Sequence, residues 1–544
     1  MKCKRLLSIF LLPASIFIST QAWAAQSAPG NVEAAPGNAS AAVNFEAPPA
    51  DTGTITGYTV TSNPSGGVDA DAGTTSLIHV ITGLTNGQAY TFTVTATNSG
   101  SETSPSSSPS SSVTPSTDVF APSAGTWNVS GMMSGAAAPF SQACTMTCNQ
   151  DGTVDSTCST DGGTVQTSTG NVWVFPDGIR FTVNGGSSLT DWLCQPNPAG
   201  TVLACTASVT ADTGSAYMSV ATRQGTSYSI ASDLAGPWSY ADLELGTGFA
   251  SWSSASMEIT GTGTMTGTSM QSSGTQNSIS AVLSLSSTGV LTCVSGSCGS
   301  GTIGYLDAGQ TVAAGVTPNP TSGASQNAQL QVLLKNGLQY SMPDLYGTWY
   351  VNQLNSDGTW QRHFVQIFRG GAFSSEDTDS TGTTTESSGR FAISSTGQVT
   401  CVSGSCSGVS LALDAGKSVM TGAYTDTQGA DSIAVATRSV LWCLGDVPLG
   451  NGWEYSKWFG YVNASHFPWL YHTTLGWLWP YQTGTGDMWF YDPQWNGTGG
   501  WWWTSSTTFP WIYSETEGTW LYYDTKSTRS KRWFGTVSGH WATH

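Results

Sequence analysis

Gly125-Thr126-Trp127, Gly236-Pro237-Trp238 and Gly347-Thr348-Trp349 repeat one short motif, with the tryptophans at a fixed interval (238 − 127 = 111 and 349 − 238 = 111). A constant period marks tandem copies of one domain. The copies also end alike, in Val220-Ala221-Thr222-Arg223, Val332-Leu333-Leu334-Lys335 and Val435-Ala436-Thr437-Arg438. Asp233-Leu234, Asp344-Leu345 and Asp446-Val447 follow these ends. Three copies of a small module between other modules form the layout of a secreted binding or adhesion protein more often than that of an enzyme.

Inside the third copy, apolar and polar side chains alternate through Thr348-Trp349-Tyr350-Val351, His363 to Phe368, Arg390 to Ile393, Val409 to Leu413 and Ser432 to Val435, with Gly, Asp and Ser clusters between. About eight short strands per copy predict an up-and-down barrel or a small sandwich. A Gly-x-Trp on the first strand with a basic residue on the last is similar to the lipocalin and calycin pattern. That resemblance implies barrel closure by Trp127 with Arg223 and Trp349 with Arg438, the cation stacking on the indole. Trp238 would meet Lys335, a poorer stacking partner. A ligand cavity does not follow, because a small barrel can be filled by its own side chains.

At 544 residues the chain holds several domains rather than one core. Only 9% of residues are charged and the formal net charge is −18, which argues against nucleic acid as a partner. Lys2, Lys4 and Arg5, the apolar run Leu6 to Ile18 and Ala22-Trp23-Ala24 have the three regions of a secretory signal, with cleavage expected after Ala24. Its loss takes the charge to −18 − 3 = −21. No other stretch is long and apolar enough to span a membrane.

Export places the remaining cysteines (11 − 1 = 10) in an oxidising compartment. Cys293-Val-Ser-Gly-Ser-Cys298 and Cys401-Val-Ser-Gly-Ser-Cys406 read as hairpin turns short enough for local disulfides. A zinc site would lack ligands, since each copy offers two such sulfurs and no nearby histidine. In the first copy Cys205 aligns with Cys293 and Cys401. The pairing of Cys144, Cys148, Cys158, Cys194, Cys205 and Cys443 stays open at this point.

Residues 28–116 alternate in short runs such as Ala42-Val43-Asn44-Phe45, Tyr58-Thr59-Val60 and Tyr90 to Val94, as a sandwich requires. Leu84-Thr85-Asn86-Gly87-Gln88-Ala89-Tyr90 matches a tyrosine corner. This region resembles a bacterial fibronectin type III domain, with Phe45 where the family usually has Trp and no Arg-Gly-Asp tripeptide. The resemblance implies a spacer. Ser101 to Thr117, rich in Ser and Pro, reads as solvated chain that ends the sandwich and leads into a linker at 117–124.

From Gly452 to His544 the 93 residues hold 14 Trp, 8 Tyr and 5 Phe, against 11% aromatic residues overall, which sets this region apart as a module. Phe467-Pro468-Trp469-Leu470-Tyr471 and Phe509-Pro510-Trp511-Ile512-Tyr513 repeat in it, as do Trp458-Phe459-Gly460 and Trp533-Phe534-Gly535. The module resembles aromatic C-terminal regions of bacterial secreted proteins and, more loosely, the Gly-Trp repeats of choline-binding surface modules. Such rings serve carbohydrate or quaternary-ammonium recognition. They also serve as cross-strand pairs that hold thin hairpins together. The candidate ligand-binding residues are Trp469, Tyr471, Trp477, Trp511, Tyr513 and Trp520.

Catalytic patterns are missing: no Gly-x-Ser-x-Gly elbow, no His-Glu-x-x-His and no phosphate or dinucleotide glycine loop occurs. The six histidines are scattered, and the calcium-like run from Asp377 has Ser388 where a bidentate Glu is needed. The expectation is an all-β chain: a signal peptide at 1–24, a fibronectin domain at 28–116, β-repeats at 125–233, 234–344 and 345–447, and an aromatic module at 448–544. It would act outside the cell or at its surface without catalysis, cofactor or metal. The β-domains would serve as spacer and stalk, and the aromatic module would bind glycan or envelope and matrix components. A polysaccharide-active enzyme or its accessory unit, and small-molecule binding inside the barrels, are the alternatives. Oligomeric state and surface retention are not written in the sequence.

Overall fold

The computed structural model describes residues 26–543 apart from short segments, the longest being 118–123, 318–326 and 439–446. Residues 1–24, where a signal peptide is expected, most of the expected linker and Cys443 lie outside the described residues. The chain divides into two compact units, a sandwich that runs to Thr114 and a larger unit from Pro115 onward. Both are built of strands, and the fold is all-β throughout.

In the sandwich, Gly30–Gly37, Ser40–Glu46, Ile78–Thr82 and Val68–Asp69 form one sheet, and Ile55–Asn63 pairs with Thr91–Asn98 in the other. Phe45 fills the core position against Tyr58, ring centroids 4.9 Å apart. The Tyr90 hydroxyl accepts the Thr85 backbone N–H at 3.2 Å, the bond of a tyrosine corner. The Ser and Pro segment behaves otherwise than its composition predicts. The N–H groups of Ser104, Ser107 and Ser110 donate to the carbonyls of Ala96, Val94 and Phe92, at 2.8, 2.9 and 2.9 Å. The hydroxyls of the same serines accept the N–H groups of Ala96, Val94 and Phe92. A three-residue period is that of polyproline II, so every third side chain meets the sheet. Serine hydroxyls there replace the carbonyls of an ordinary edge strand, and this segment is part of the sandwich rather than solvated chain.

Each repeat closes into an eight-stranded antiparallel barrel. The first strands are Gly125–Gly135, Gly236–Gly246 and Gly347–Asn355, and the last are Ser215–Arg223, Ala328–Lys335 and Asp431–Arg438. First and last strands pair, which shuts each cylinder and removes its edges. Inward side chains pack around Trp127, Trp238 and Trp349, all buried. Tyr228 and Tyr340 plug the second and third barrels from the segments that precede them, donating to the carbonyls of Leu306 at 3.0 Å and Leu413 at 2.9 Å. Packing thus assigns those segments, with Leu234 and Leu345, to the barrel that follows.

The barrels also share a core. The seventh strand of barrel one, Val202–Val209, lies against the first two strands of barrel three. That of barrel three, Val419–Thr425, lies against the first two of barrel two, and that of barrel two, Val312–Thr317, against the first two of barrel one. Three heterologous contacts of one kind close a ring, as in a cyclic trimer, but within one chain. Side chains such as Met218, Val220, Leu243, Val332, Leu354 and Val435 form the single apolar cluster between the barrels. The barrels therefore sit side by side, because strands seven and eight carry apolar side chains on their outer as well as their inner faces.

Polar contacts repeat around the ring. Asn197, Asp307 and Asp414, all buried, open the turn before each seventh strand and accept the backbone N–H groups four and five residues on. Each also reaches a hydroxyl of a neighbouring barrel: Asn197 that of Ser418, Asp307 that of Thr201, Asp414 that of Thr311. The next N–H groups, of Ala308 and Ala415, donate to the carbonyls of Arg223 and Lys335 at 2.8 and 2.7 Å. Barrel one has Pro198 at that place, which has no N–H to give. Trp360 donates to Ser208 at 2.9 Å and Trp252 to Thr425 at 3.0 Å, again between barrels at equivalent positions.

The last eleven strands, Val447–Gly450 to Trp541–Thr543, form one antiparallel meander in chain order. Its inner face gathers Phe459, Phe490, Trp495, Trp502, Tyr523 and Phe534 into one core. The Asp492 carboxylate and the Arg532 guanidinium are buried together inside, and Arg532 also donates to the Leu475 carbonyl at 3.2 Å. The Tyr523 hydroxyl meets that of Thr474 at 2.7 Å, so the sheet curls until early and late strands touch.

Candidate functional site

Trp127 and Arg223, Trp238 and Lys335, and Trp349 and Arg438 are directly opposed on paired strands. The Arg438 guanidinium lies 4.7 Å from the Trp349 ring centre. It also donates to the Asp344 carbonyl, as the Lys335 ammonium does to that of Asp233 at 2.8 Å and Arg223 to that of Ala124. The indoles of Trp238 and Trp349 donate to the carbonyls four residues back, at 2.7 and 2.9 Å. In barrels two and three cation and indole together bind the chain as it enters, and in barrel one Arg223 does so, which is a structural task. Burial pulls the Arg438 guanidinium down to about 10.

Cys293 with Cys298 and Cys401 with Cys406 form local disulfides, their Cα atoms 6.0 and 5.5 Å apart. Cys144 with Cys158 and Cys194 with Cys205 bridge adjacent strands of barrel one. The alignment of Cys205 with Cys293 and Cys401 is corrected: Cys205 stands on the seventh strand of its barrel, the other two on the fifth strands of theirs. Barrel one carries no cysteine on its fifth strand, Gly178–Val183. Cys148 is buried and free, and burial pushes its thiol up to about 12, far from reactive.

Among the described residues, the clustered titratable groups make contacts that support the fold. His472 is buried, its Nε2 2.7 Å from the Phe459 carbonyl while Nδ1 accepts the Leu475 N–H at 2.9 Å, and burial pulls it down to about 4. His363 and Asp377 face each other 2.8 Å apart inside barrel three. Burial alone would raise the Asp377 carboxyl, but hydrogen bonds from His363 and Ser387 outweigh it and hold it low. By register this pair fills the place of the Cys144–Cys158 bridge in barrel one and of Ala255 and Ser269 in barrel two. Among the described residues no group of three His, Cys, Asp or Glu side chains is placed to hold a metal.

The outer face of the C-terminal sheet is different. Among the described residues, every Trp or Tyr exposed by more than a third lies there: Tyr461 at 49%, Trp511 and Trp520 at 37%, Tyr522 at 38%, Trp533 at 39% and Trp541 at 51%. Strand alternation is the cause, since Ile512, Ser514, Leu521, Tyr523 and Phe534 take the inward positions between them. Outward rings pair across strands: Tyr471 with Trp477 at 5.2 Å, Trp511 with Tyr522 at 5.2 Å, Tyr513 with Trp520 at 5.7 Å and Trp503 with Trp520 at 5.6 Å, all near edge-to-face. The structure therefore brings Trp511, Tyr513 and Trp520 together, and pairs Tyr471 with Trp477 elsewhere on the sheet. The side chain of Trp469 lies outside the described residues. Sequence reasoning passed over Trp503, Tyr522, Trp533 and Trp541, which a strict odd-even count along each strand would have found.

The Fibronectin type III domain family matches residues 27–113, and that segment of the chain is a fibronectin type III domain. The protein is thus a multidomain all-β chain that couples this domain to three closed barrels and an aromatic sheet. No curated protein matches the chain. Among solved structures, the FN1–FN3 domains of chicken CNTN1 align at 9% identity over 43% of this chain and 94% of that one, with a TM-score of 0.15. A putative AttH from Nitrosomonas europaea aligns at 12% identity over 57% of this chain and 91% of its own, also at 0.15. Likenesses at these scores have no bearing on what the chain does. No helix among the described residues is long and apolar enough to cross a membrane.

Proposed function

We propose that the protein is exported and acts without catalysis as a binding or adhesion protein at the cell surface or in the surrounding matrix, and that its ligand, a glycan or envelope component, docks on the outer aromatic face of the C-terminal sheet. The observation that carries this reading is the confinement of all strongly exposed Trp and Tyr side chains, among the described residues, to that one face. Folding alone rewards burying such rings, and a contiguous exposed patch marks an interaction site. Four disulfides support an oxidising compartment. The fibronectin domain and the barrel cluster then present the sheet. Retention of the purified full chain on cell-envelope and matrix fractions tests this. A Trp511→Ala/Trp520→Ala/Trp533→Ala chain should lose retention while melting as the parent does. Unchanged retention by that folded variant overturns the assignment, and release of reducing sugar by the parent chain overturns the non-catalytic reading.

A further inference from the structure

The outer face of the C-terminal sheet differs from one end to the other, and on the binding role just proposed that asymmetry narrows the partner. Strands Trp511–Ser514, Thr519–Tyr523 and Trp533–Thr536 are neighbours in the meander. Trp511, Tyr522 and Trp533 stand at the end beside the turn from Asp524 to Arg532, and Glu515 and Glu517, both exposed, occupy the turn at the other end. The first turn is fastened to Trp533: the Asp524 N–H donates to the Trp533 carbonyl at 3.0 Å, and the Trp533 N–H to the Ser527 hydroxyl at 2.8 Å.

That turn holds Lys526, Arg529, Lys531 and Arg532, four of the 16 Lys and Arg of the chain. Arg532 is engaged by Asp492 inside the module. Lys526 is exposed, and Arg529 and Lys531, outside the described residues, stand between Thr528 and Arg532 in the sequence. Asp524 is the acid of the turn, its carboxylate accepting the Lys526 N–H at 2.9 Å, and Asp487 begins a strand three places away. The five residues Thr519–Tyr523 set the two turns about 17 Å apart, roughly twice the Debye length at physiological salt, so Glu515 and Glu517 do not cancel the cations.

Shape is an independent observation. The sheet curls around Phe490, Trp495, Trp502 and Tyr523, so its outer face is convex, whereas small ligands are gripped in concavities. Trp511 meets Tyr522 at an interplanar angle of 76°, and Tyr522 meets Trp541 at 84°, so neighbouring rings share no plane on which a sugar chain could lie flat. A bilayer interface asks for neither a cleft nor coplanar rings. Indole and phenol rings settle at the headgroup level with the ring body in an apolar setting and the N–H or O–H hydrated, and Lys and Arg beside them meet anionic lipid phosphates.

We infer that this end of the face docks on a bilayer containing anionic lipid, with Trp511, Tyr522 and Trp533 entering the headgroup layer and the cationic turn at its surface. The contact is peripheral, because the strands here have four or five residues where a crossing strand needs about 9–11.

Flotation of the full chain with vesicles tests this, using phosphatidylcholine alone and phosphatidylcholine mixed equally with phosphatidylglycerol. Binding to the anionic vesicles should be about tenfold tighter or more, and should weaken several-fold in about 1 M salt, where the Debye length falls to about 3 Å. Lys526→Gln/Arg529→Gln/Lys531→Gln should bring the two vesicle types within about twofold of each other. Trp511→Ala/Trp533→Ala should cost about tenfold or more on the anionic vesicles, with unchanged melts in both variants. Equal binding of the parent to both vesicle types, a charge variant that keeps the preference, or tighter binding to soluble polygalacturonate than to anionic vesicles overturns the inference. If vesicles fail while envelope fractions retain the parent and not Trp511→Ala/Trp520→Ala/Trp533→Ala, the lipid falls and the binding face stands. If that retention also survives the three substitutions, both readings fall together.

Discussion

In the barrels, Trp127, Trp238 and Trp349 occupy one repeated position, lie fully buried and are opposed by a cation on the closing strand. In the C-terminal sheet, Trp511, Trp520, Trp533 and Trp541 occupy outward positions and keep more than a third of their surface in water. The residue type is the same and the context is opposite. A barrel buries most of its inner face and, where strands meet a neighbouring barrel, much of its outer face too. The single curled sheet has one inner face only, already filled by Trp495, Trp502, Phe490 and their neighbours. Its remaining rings stay outside, where they pair with each other and are open to a ligand.

The largest effect should come from the buried side. Trp349→Ala removes a fully buried ring and the indole bond to Leu345, and should cost about 3–5 kcal/mol, read as a large fall in the denaturant midpoint. A small effect there would break the contrast, since Trp349 would then be as dispensable as a surface ring.

Next in size is a pH dependence inside the barrel cluster. Burial raises Asp307 to about 6 despite the N–H groups it accepts, and Asp242 likewise to about 6. A carboxyl with a raised folded value favours the fold fully below its ordinary 3.8 and loses that contribution as pH rises through about 6. Melting temperature should therefore fall between pH 4 and pH 7. Asp307→Asn copies the Asn197 already present in barrel one and should flatten that fall in part, with Asp242 and the equivalent Asp414, whose carboxyl burial also raises, supplying the rest. An identical pH profile in Asp307→Asn would remove Asp307 from the account.

Trp360→Phe keeps the apolar ring between barrels one and three but deletes the bond to Ser208, and should cost about 0.5–1.5 kcal/mol. No change would mean that shape alone holds the ring of barrels together. At the small end, Trp520→Ala should stay within about 0.5 kcal/mol of the parent, as surface changes usually do. A cost comparable to that of Trp349→Ala would show that the outward rings are a second core.

Much of this was legible in the chain because it is local. The Gly-x-Trp motif, the alternation and the Cys-Val-Ser-Gly-Ser-Cys loops each depend on neighbours in sequence or on a repeated period. What escaped depends on more than one copy at once. The outer faces of Val202–Val209 and Ser215–Arg223 are buried against another barrel, and nothing within one repeat says so. Asp307-Ala308-Gly309-Gln310-Thr311-Val312 and Asp414-Ala415-Gly416-Lys417-Ser418-Val419 do repeat visibly, but their role needs the ring. Ser104, Ser107 and Ser110 escaped for another reason: a three-residue period is neither helix nor ordinary strand. At the candidate site the doubled Phe-Pro-Trp-aliphatic-Tyr unit pointed to Trp511 and Tyr513, while Trp541 lies outside that unit and its packing against Gly535 depends on strand pairing.

Limited oxidation of tryptophan by N-bromosuccinimide, mapped by mass spectrometry on the full chain with and without bound envelope or glycan material, tests the central claim most directly. Trp511, Trp520, Trp533 and Trp541 should be modified first, should be shielded by the ligand, and their modification should abolish binding while Trp127, Trp238 and Trp349 stay intact in folded barrels. Full retention of binding after those four indoles are oxidised, with the barrels still folded, would contradict it.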